Sequence, residues 1–176
     1  EQTFGSTSID SMCVIDNNDE VIVNTNDCPF ELGETSASII KKEYGEIDFL
    51  LLGYSSATAY PQCFELNSKE LTKSQNEIIL SFLSRGESYV NLFSSKYFMP
   101  FAGRYVLSGK NHALTWKKAT PELEEATNYF NNSQNINHEK NKCIILNSKS
   151  SFNITTGKIS KPYTSINLDE KKEYVS

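Results

Sequence analysis

The sequence predicts an α/β chain built on a mixed β-sheet, with helices on one face and a small β-rich carboxyl-terminal extension. Three observations carry this expectation. Two β-prone runs, residues 11–16 and 20–24, flank Asn17-Asn18-Asp19, whose composition suits a tight hairpin turn. A continuous apolar run, residues 47–52, is bounded by Gly45 and Gly53, the pattern of a strand buried on both faces of a sheet. Between them, residues 36–44 place Ala37, Ile40 and Tyr44 at helical spacing ahead of Gly45, so strand, helix and strand suggest a right-handed parallel crossover.

The remaining elements follow in order. Val21-Ile22-Val23 runs into a polar loop closed by Pro29, which cannot continue a central strand. The longest periodic stretch, residues 68–95, sets Leu71, Ile78, Phe82, Leu83, Val90 and Phe93 along one helical stripe, with Gly86 as a break point that divides it in two. Tyr97-Phe98-Met99-Pro100-Phe101 reads as a further buried strand, followed by a Gly/Ser/Lys loop at 108–111. A helix is expected behind Thr120-Pro121-Glu122, because proline is tolerated at a first helical position. Residues 131–141 are Asn-rich and read as a surface loop. Short β-prone pieces at 142–146, 151–155 and 163–166 precede a charged tail, 169–173. The expected organisation is therefore a main α/β region, residues 1–142, and a β-rich extension, residues 143–176.

Composition narrows the partners. Hydrophobic residues at 38% and aromatics at 11% are enough for a packed core. A net charge of −5 with scattered lysines leaves no basic footprint, so nucleic acid is not an expected partner. The longest apolar run, residues 47–53, still carries Asp48 and falls far short of the roughly 18 residues of a membrane span, so no membrane association is expected. Glu1-Gln2-Thr3-Phe4 shows neither an initiator Met nor a signal-peptide pattern, which reads as processing or excision from a longer polypeptide, with excision preferred. Cys13, Cys28, Cys63 and Cys143 form no CxxC pair, and apolar neighbours such as Met12-Cys13-Val14 and Cys143-Ile144-Ile145 suit buried thiols of a cytoplasmic protein.

Several residues are candidates for chemistry. Asp27 falls at the carboxyl end of a strand, where α/β sheets place ligands and where a carboxylate oxygen binds metal; the alternative is that Asn26 and Asp27 cap a turn. Tyr54, Ser55, Ser56 and Tyr60 belong to an uncharged small-residue stretch after a buried strand, able to approach an anionic or carbonyl ligand closely or simply to pack as a connector. Phe101 and Arg104 stand in a similar stretch, where Arg104 suits bidentate capture of a carboxylate or phosphate, or a surface ion pair. His112 and His138 stand alone in polar loops, and a zinc hydrolase normally uses three or more protein ligands. HxHxDH, HExxH, GxSxG, P-loop and GxGxxG patterns are all missing.

Taken together, Ser11-Met12-Cys13-Val14-Ile15, Val21-Ile22-Val23-Asn24-Thr25-Asn26-Asp27-Cys28 and Tyr44-Gly45-Glu46-Ile47-Asp48-Phe49-Leu50-Leu51-Leu52-Gly53 resemble the carboxyl-terminal half of a metallo-β-lactamase-fold domain. The likeness is to the ascorbate-6-phosphate lactonase-like group and to the lactamase-fold part of CMP-N-acetylneuraminate hydroxylase. Residues 53–64 and Met99-Pro100-Phe101-Ala102-Gly103-Arg104-Tyr105 resemble the hydroxylase-like branch. The likeness spans roughly residues 9–110 and implies half of an αββα sandwich.

It further implies that Asp27 is a metal ligand and that Tyr54, Ser55, Ser56, Tyr60, Phe101 and Arg104 shape a substrate pocket. Zinc or iron is implied in the full-length protein, with neither held tightly by this chain alone. The implied partners are a small-molecule substrate and an upstream half of the same polypeptide, and the uncovered sheet surface of a half-domain implies self-association. The implied function is a share in a metal-dependent hydrolase, or in an enzyme associated with oxygenation, acting on a sugar, a nucleotide-sugar or another small anionic substrate. The competing expectation is a binding or assembly module that keeps the fold without a complete metal site. Two departures favour it: the HxHxDH loop would lie upstream of Glu1, and the histidine of the lactonase-like group is replaced by Phe101.

Overall fold

A computed structural model describes residues 11–165 and 167–175. Its first elements are β1 (Cys13–Asp16) and β2 (Val21–Asn24), paired antiparallel with Val14 opposite Val23. The turn is made by side chains: Asn17 Oδ1 accepts from the N–H groups of Asp19 and Glu20, and Asn18 takes the left-handed conformation asparagine tolerates.

Three parallel strands extend this hairpin into a mixed five-stranded sheet of order β1-β2-β3-β4-β5, where β3 is Phe49–Gly53, β4 is Tyr97–Phe101 and β5 is Lys142–Cys143. The crossovers carry α1 (Phe30–Tyr44), α2 (Ser68–Phe93) and α3 (Leu123–Asn132). Ala37 of α1, Leu83, Val90 and Phe93 of α2, and Ala126 and Phe130 of α3 share one core with Val23, Leu50, Leu52 and Phe98 of the sheet. All three helices therefore lie on one face. Because each crossover also steps in the same direction along the sheet, the three share one hand.

Several boundaries differ from the sequence-based expectation. The first helix begins at Phe30, directly after Pro29, six residues before the periodic run at 36–44. Residues 68–95 form one uninterrupted helix to Phe93 rather than two. Gly86 is no break: a Cβ there would stand 3.0 Å from Leu52 Cδ1 and Phe130 Cζ, so the helix comes close to sheet and α3 at that point. Residues 109–117 form a 3-10 segment, where a loop was expected only for 108–111. Strand β5 joins the main sheet, so the division at 142/143 falls inside it. Within the extension, β6 (Phe152–Asn153) and β7 (Lys158–Ile159) form a hairpin, and residues 163–165 are not strand. Ile166, Ser176 and the first ten residues lie outside the described residues. The charged tail is helical, α4 (Leu168–Val175). Among the described residues no helix is long and apolar enough to cross a membrane.

The sheet's second face carries the alternate residues of each strand. Phe49 and Tyr97 are buried there beneath Phe152 of the β6–β7 hairpin, with ring centroids 5.6 Å and 4.7 Å from it. Beyond the hairpin the same face presents Ile15, 56% exposed, and Phe101, 38% exposed, with Ile22, Leu51 and Met99 half-buried between them.

Candidate functional site

The carboxyl ends of β2 and β3 open onto a cavity of about 270 Å³. One wall is the loop leaving β2, Thr25 to Pro29; a second is the loop leaving β3, with Gly53 and Ser55 to Thr58; the third is α2, with Phe82, Arg85, Gly86 and Tyr89. Crevices of this kind, beyond the carboxyl ends of parallel strands, are where open α/β sheets bind ligands.

Two close approaches shape it. Gly53 lies against the Asn26 carbonyl, where a Cβ would stand 2.9 Å from the oxygen, so the two strand-end loops pack backbone to backbone. Tyr89 donates its hydroxyl to the Cys28 carbonyl at 3.1 Å and tethers α2 to the β2 loop. Burial drives the Tyr89 pKa well above the ordinary tyrosine value, so the hydroxyl remains a donor.

Of the residues the sequence singles out, Asp27, Ser55 and Ser56 line this cavity. Asp27 is exposed, and its carboxylate makes no hydrogen bond or ion pair among the described residues. Ser55 donates to the Gly103 carbonyl, and Ser56 shares a 3.0 Å hydrogen bond with Thr58.

The other four candidates lie elsewhere. Tyr54 is 3% exposed and packs so tightly under Gly103 that a Cβ there would overlap its ring; burial is the main cause that lifts its pKa to about 12. Tyr60 sits at the surface, its hydroxyl 2.6 Å from Ser74 Oγ and its ring against Phe64. Phe101 ends β4 on the opposite face of the sheet. Arg104 is ion-paired with Glu122, its surface-bridge alternative.

Sequence reasoning missed Arg85. Its Nε donates to Glu31 Oε1 at 2.9 Å and its guanidinium lies 5.2 Å from the Phe82 ring centroid, while its two terminal amines have no protein partner among the described residues. Three residues before Arg85, Phe82 belongs to an apolar stripe, and nothing in the local pattern announces that the stripe's edge becomes a cavity wall.

A metal centre needs more donors than this wall provides. Among the described residues no three His, Cys, Asp or Glu side chains come together as a metal-holding group. Beside Asp27 the cavity lining includes one cysteine, Cys28, and otherwise amide, hydroxyl and guanidinium groups, a donor set short of the three or more ligands that zinc or iron needs.

No family model, no curated protein and no solved structure was found to match the chain.

Proposed function

We propose that this chain is the carboxyl-terminal half of a metallo-β-lactamase-like αββα sandwich, contributing one wall of a substrate site to a catalytic unit completed by an upstream segment. The supporting observation is the asymmetry of the sheet: α1, α2 and α3 cover one face, while the other is covered by the β6–β7 hairpin only over Phe49 and Tyr97 and leaves Ile15 and Phe101 exposed on either side. In this reading Asp27 adds one oxygen ligand to a metal held mainly by the upstream half. A metal so held would supply an activated water for hydrolysis, whereas in an oxygenation this part would only hold substrate; the substrate class in this reading is a sugar, nucleotide-sugar or other small anion.

A second reading has its own support. Arg104 is taken up by Glu122, the resemblance puts Phe101 in the place of the lactonase-like group's histidine, and among the described residues no three His, Cys, Asp or Glu side chains gather at Asp27. These favour a binding or assembly module that keeps the fold without a metal.

The reading frame upstream of Glu1 separates the two. An HxHxDH-bearing segment there, and a longer polypeptide whose metal content by elemental analysis falls on Asp27→Ala, support the enzyme. A frame without that motif, or metal content unchanged by Asp27→Ala, removes Asp27 from the metal site and leaves the binding module.

A further inference from the structure

The cavity's own hydroxyls are already engaged. Ser55 donates to Gly103, Ser56 and Thr58 bond each other, Thr58 also reaches the Tyr60 carbonyl at 2.8 Å, and Tyr89 donates to Cys28. Two charged groups of opposite sign are left without full partners: the Asp27 carboxylate and the terminal amines of Arg85. They form no ion pair with each other. Yet both line the same cavity of about 270 Å³.

A ligand with one sign of charge suits this pair poorly. A simple anion held by Arg85 would share the cavity with the Asp27 carboxylate and have Glu31 beside the guanidinium; a simple cation at Asp27 would share it with the Arg85 guanidinium. A molecule carrying both charges on neighbouring carbons satisfies both walls at once, and the guanidinium edge not used by Glu31 has the planar geometry that takes a carboxylate in bidentate fashion. The Pro29, Ala57, Phe82 and Gly86 surfaces then receive an uncharged side chain.

We infer that the cavity at the ends of β2 and β3 binds a small zwitterion of the free amino-acid class, with its carboxylate on Arg85 and its ammonium on Asp27. The inference gives a ligand class to the cavity taken above as a substrate wall. It rests on that assignment of the cavity and not on the missing half of the sandwich, since both charges belong to this chain.

The test uses the 176-residue chain, isotopically labelled and followed by amide NMR, titrated with L-serine and L-phenylalanine. Lactate, a small carboxylate without an ammonium, and ethanolamine, which is serine without its carboxylate, serve as single-charge controls. Saturable movement of the resonances of residues 25–28, 53–58 and 82–89 is expected with an amino acid, with binding about tenfold weaker for lactate and for ethanolamine. Asp27→Asn and Arg85→Gln should each weaken amino-acid binding by about tenfold. Asp27 is exposed and unpartnered, so its variant keeps the fold and carries the test even if the Arg85 variant does not. No saturable movement with either amino acid overturns the inference, as does lactate binding as tightly as serine or an Asp27→Asn affinity equal to that of the parent. Each of these results leaves the half-sandwich reading intact, and a failure of that reading leaves this one.

Discussion

The Tyr89 hydroxyl donates to the Cys28 carbonyl at 3.1 Å, and this one bond ties the middle of α2 to the loop that presents Asp27. The Tyr89 ring is held independently, edge-on to Phe30 at 5.0 Å and stacked on Phe93 at 6.2 Å. Tyr89→Phe therefore removes the hydrogen bond and keeps the packing, at a cost of about 1 kcal/mol. Denaturant midpoints measure that loss, and hydrogen exchange at the amides of residues 25–28 should speed up. Unchanged exchange in that loop would mean the tether does not hold it.

Gly33 sits under the same hydroxyl: a Cβ there would stand 2.2 Å from Tyr89 Oη and 2.7 Å from Met12 Cε. Alanine recovers up to about 1 kcal/mol of helix propensity, but overpacking costs about 1–3 kcal/mol, so Gly33→Ala should be net destabilising. Without the hydroxyl the next Tyr89 atom is 3.4 Å away, an ordinary contact. The Gly33→Ala/Tyr89→Phe double variant should then be more stable than the sum of the single effects, and a strictly additive double-mutant cycle would contradict the contact.

Alkaline pH should unfold the protein through groups held neutral by burial. Cys143 is pushed from 9.0 to about 12 by desolvation, and Tyr54 and Tyr163 from 10.0 to about 12, with desolvation again the first cause in each. For a group whose folded pKa is raised, the stabilisation is fully present below the unfolded value and is lost as pH climbs toward the folded one. Thermal stability should hold to about pH 9, then fall up to about pH 12. In Cys143→Val the decline should begin about one pH unit later, nearer the ordinary tyrosine value; an unshifted onset would show that the thiol plays no part.

Asp27→Ala removes an exposed carboxylate with no protein partner among the described residues, so stability should stay within about 0.5 kcal/mol of the parent. Any loss of ligand or metal binding in that variant then reports on the site and not on folding. A large drop in melting temperature would assign Asp27 a structural role instead.

Strand and helix identities were legible where periodicity was strong. Tyr97–Phe101 coincides with its apolar run, and Asn17-Asn18-Asp19 gave the turn its side-chain acceptors. The start of α1 was hidden because Gly33 occupies the buried position between Phe30 and Ala37 and leaves a gap in the apolar spacing, and Pro29 reads equally as the end of a loop and as the residue before a helix. Gly86 misled because a small residue in a helix signals a break in sequence and a close packing site in space. At the site, Asp27 and Ser55 were legible from their places at strand ends. Arg85 was not, because it comes from a helix 58 residues beyond Asp27, and only the tertiary fold brings the two to one cavity.

The central claim is that the sheet face bearing Ile15 and Phe101 is built to be covered. Light scattering of the purified chain over a range of concentrations, beside an Ile15→Lys/Phe101→Lys variant, tests it most directly. The chain should associate as concentration rises, through the face on which these side chains are 56% and 38% exposed, and the double variant should run as a monomer of about 19.9 kDa. A parent chain that stays monomeric at every concentration would contradict the half-sandwich account.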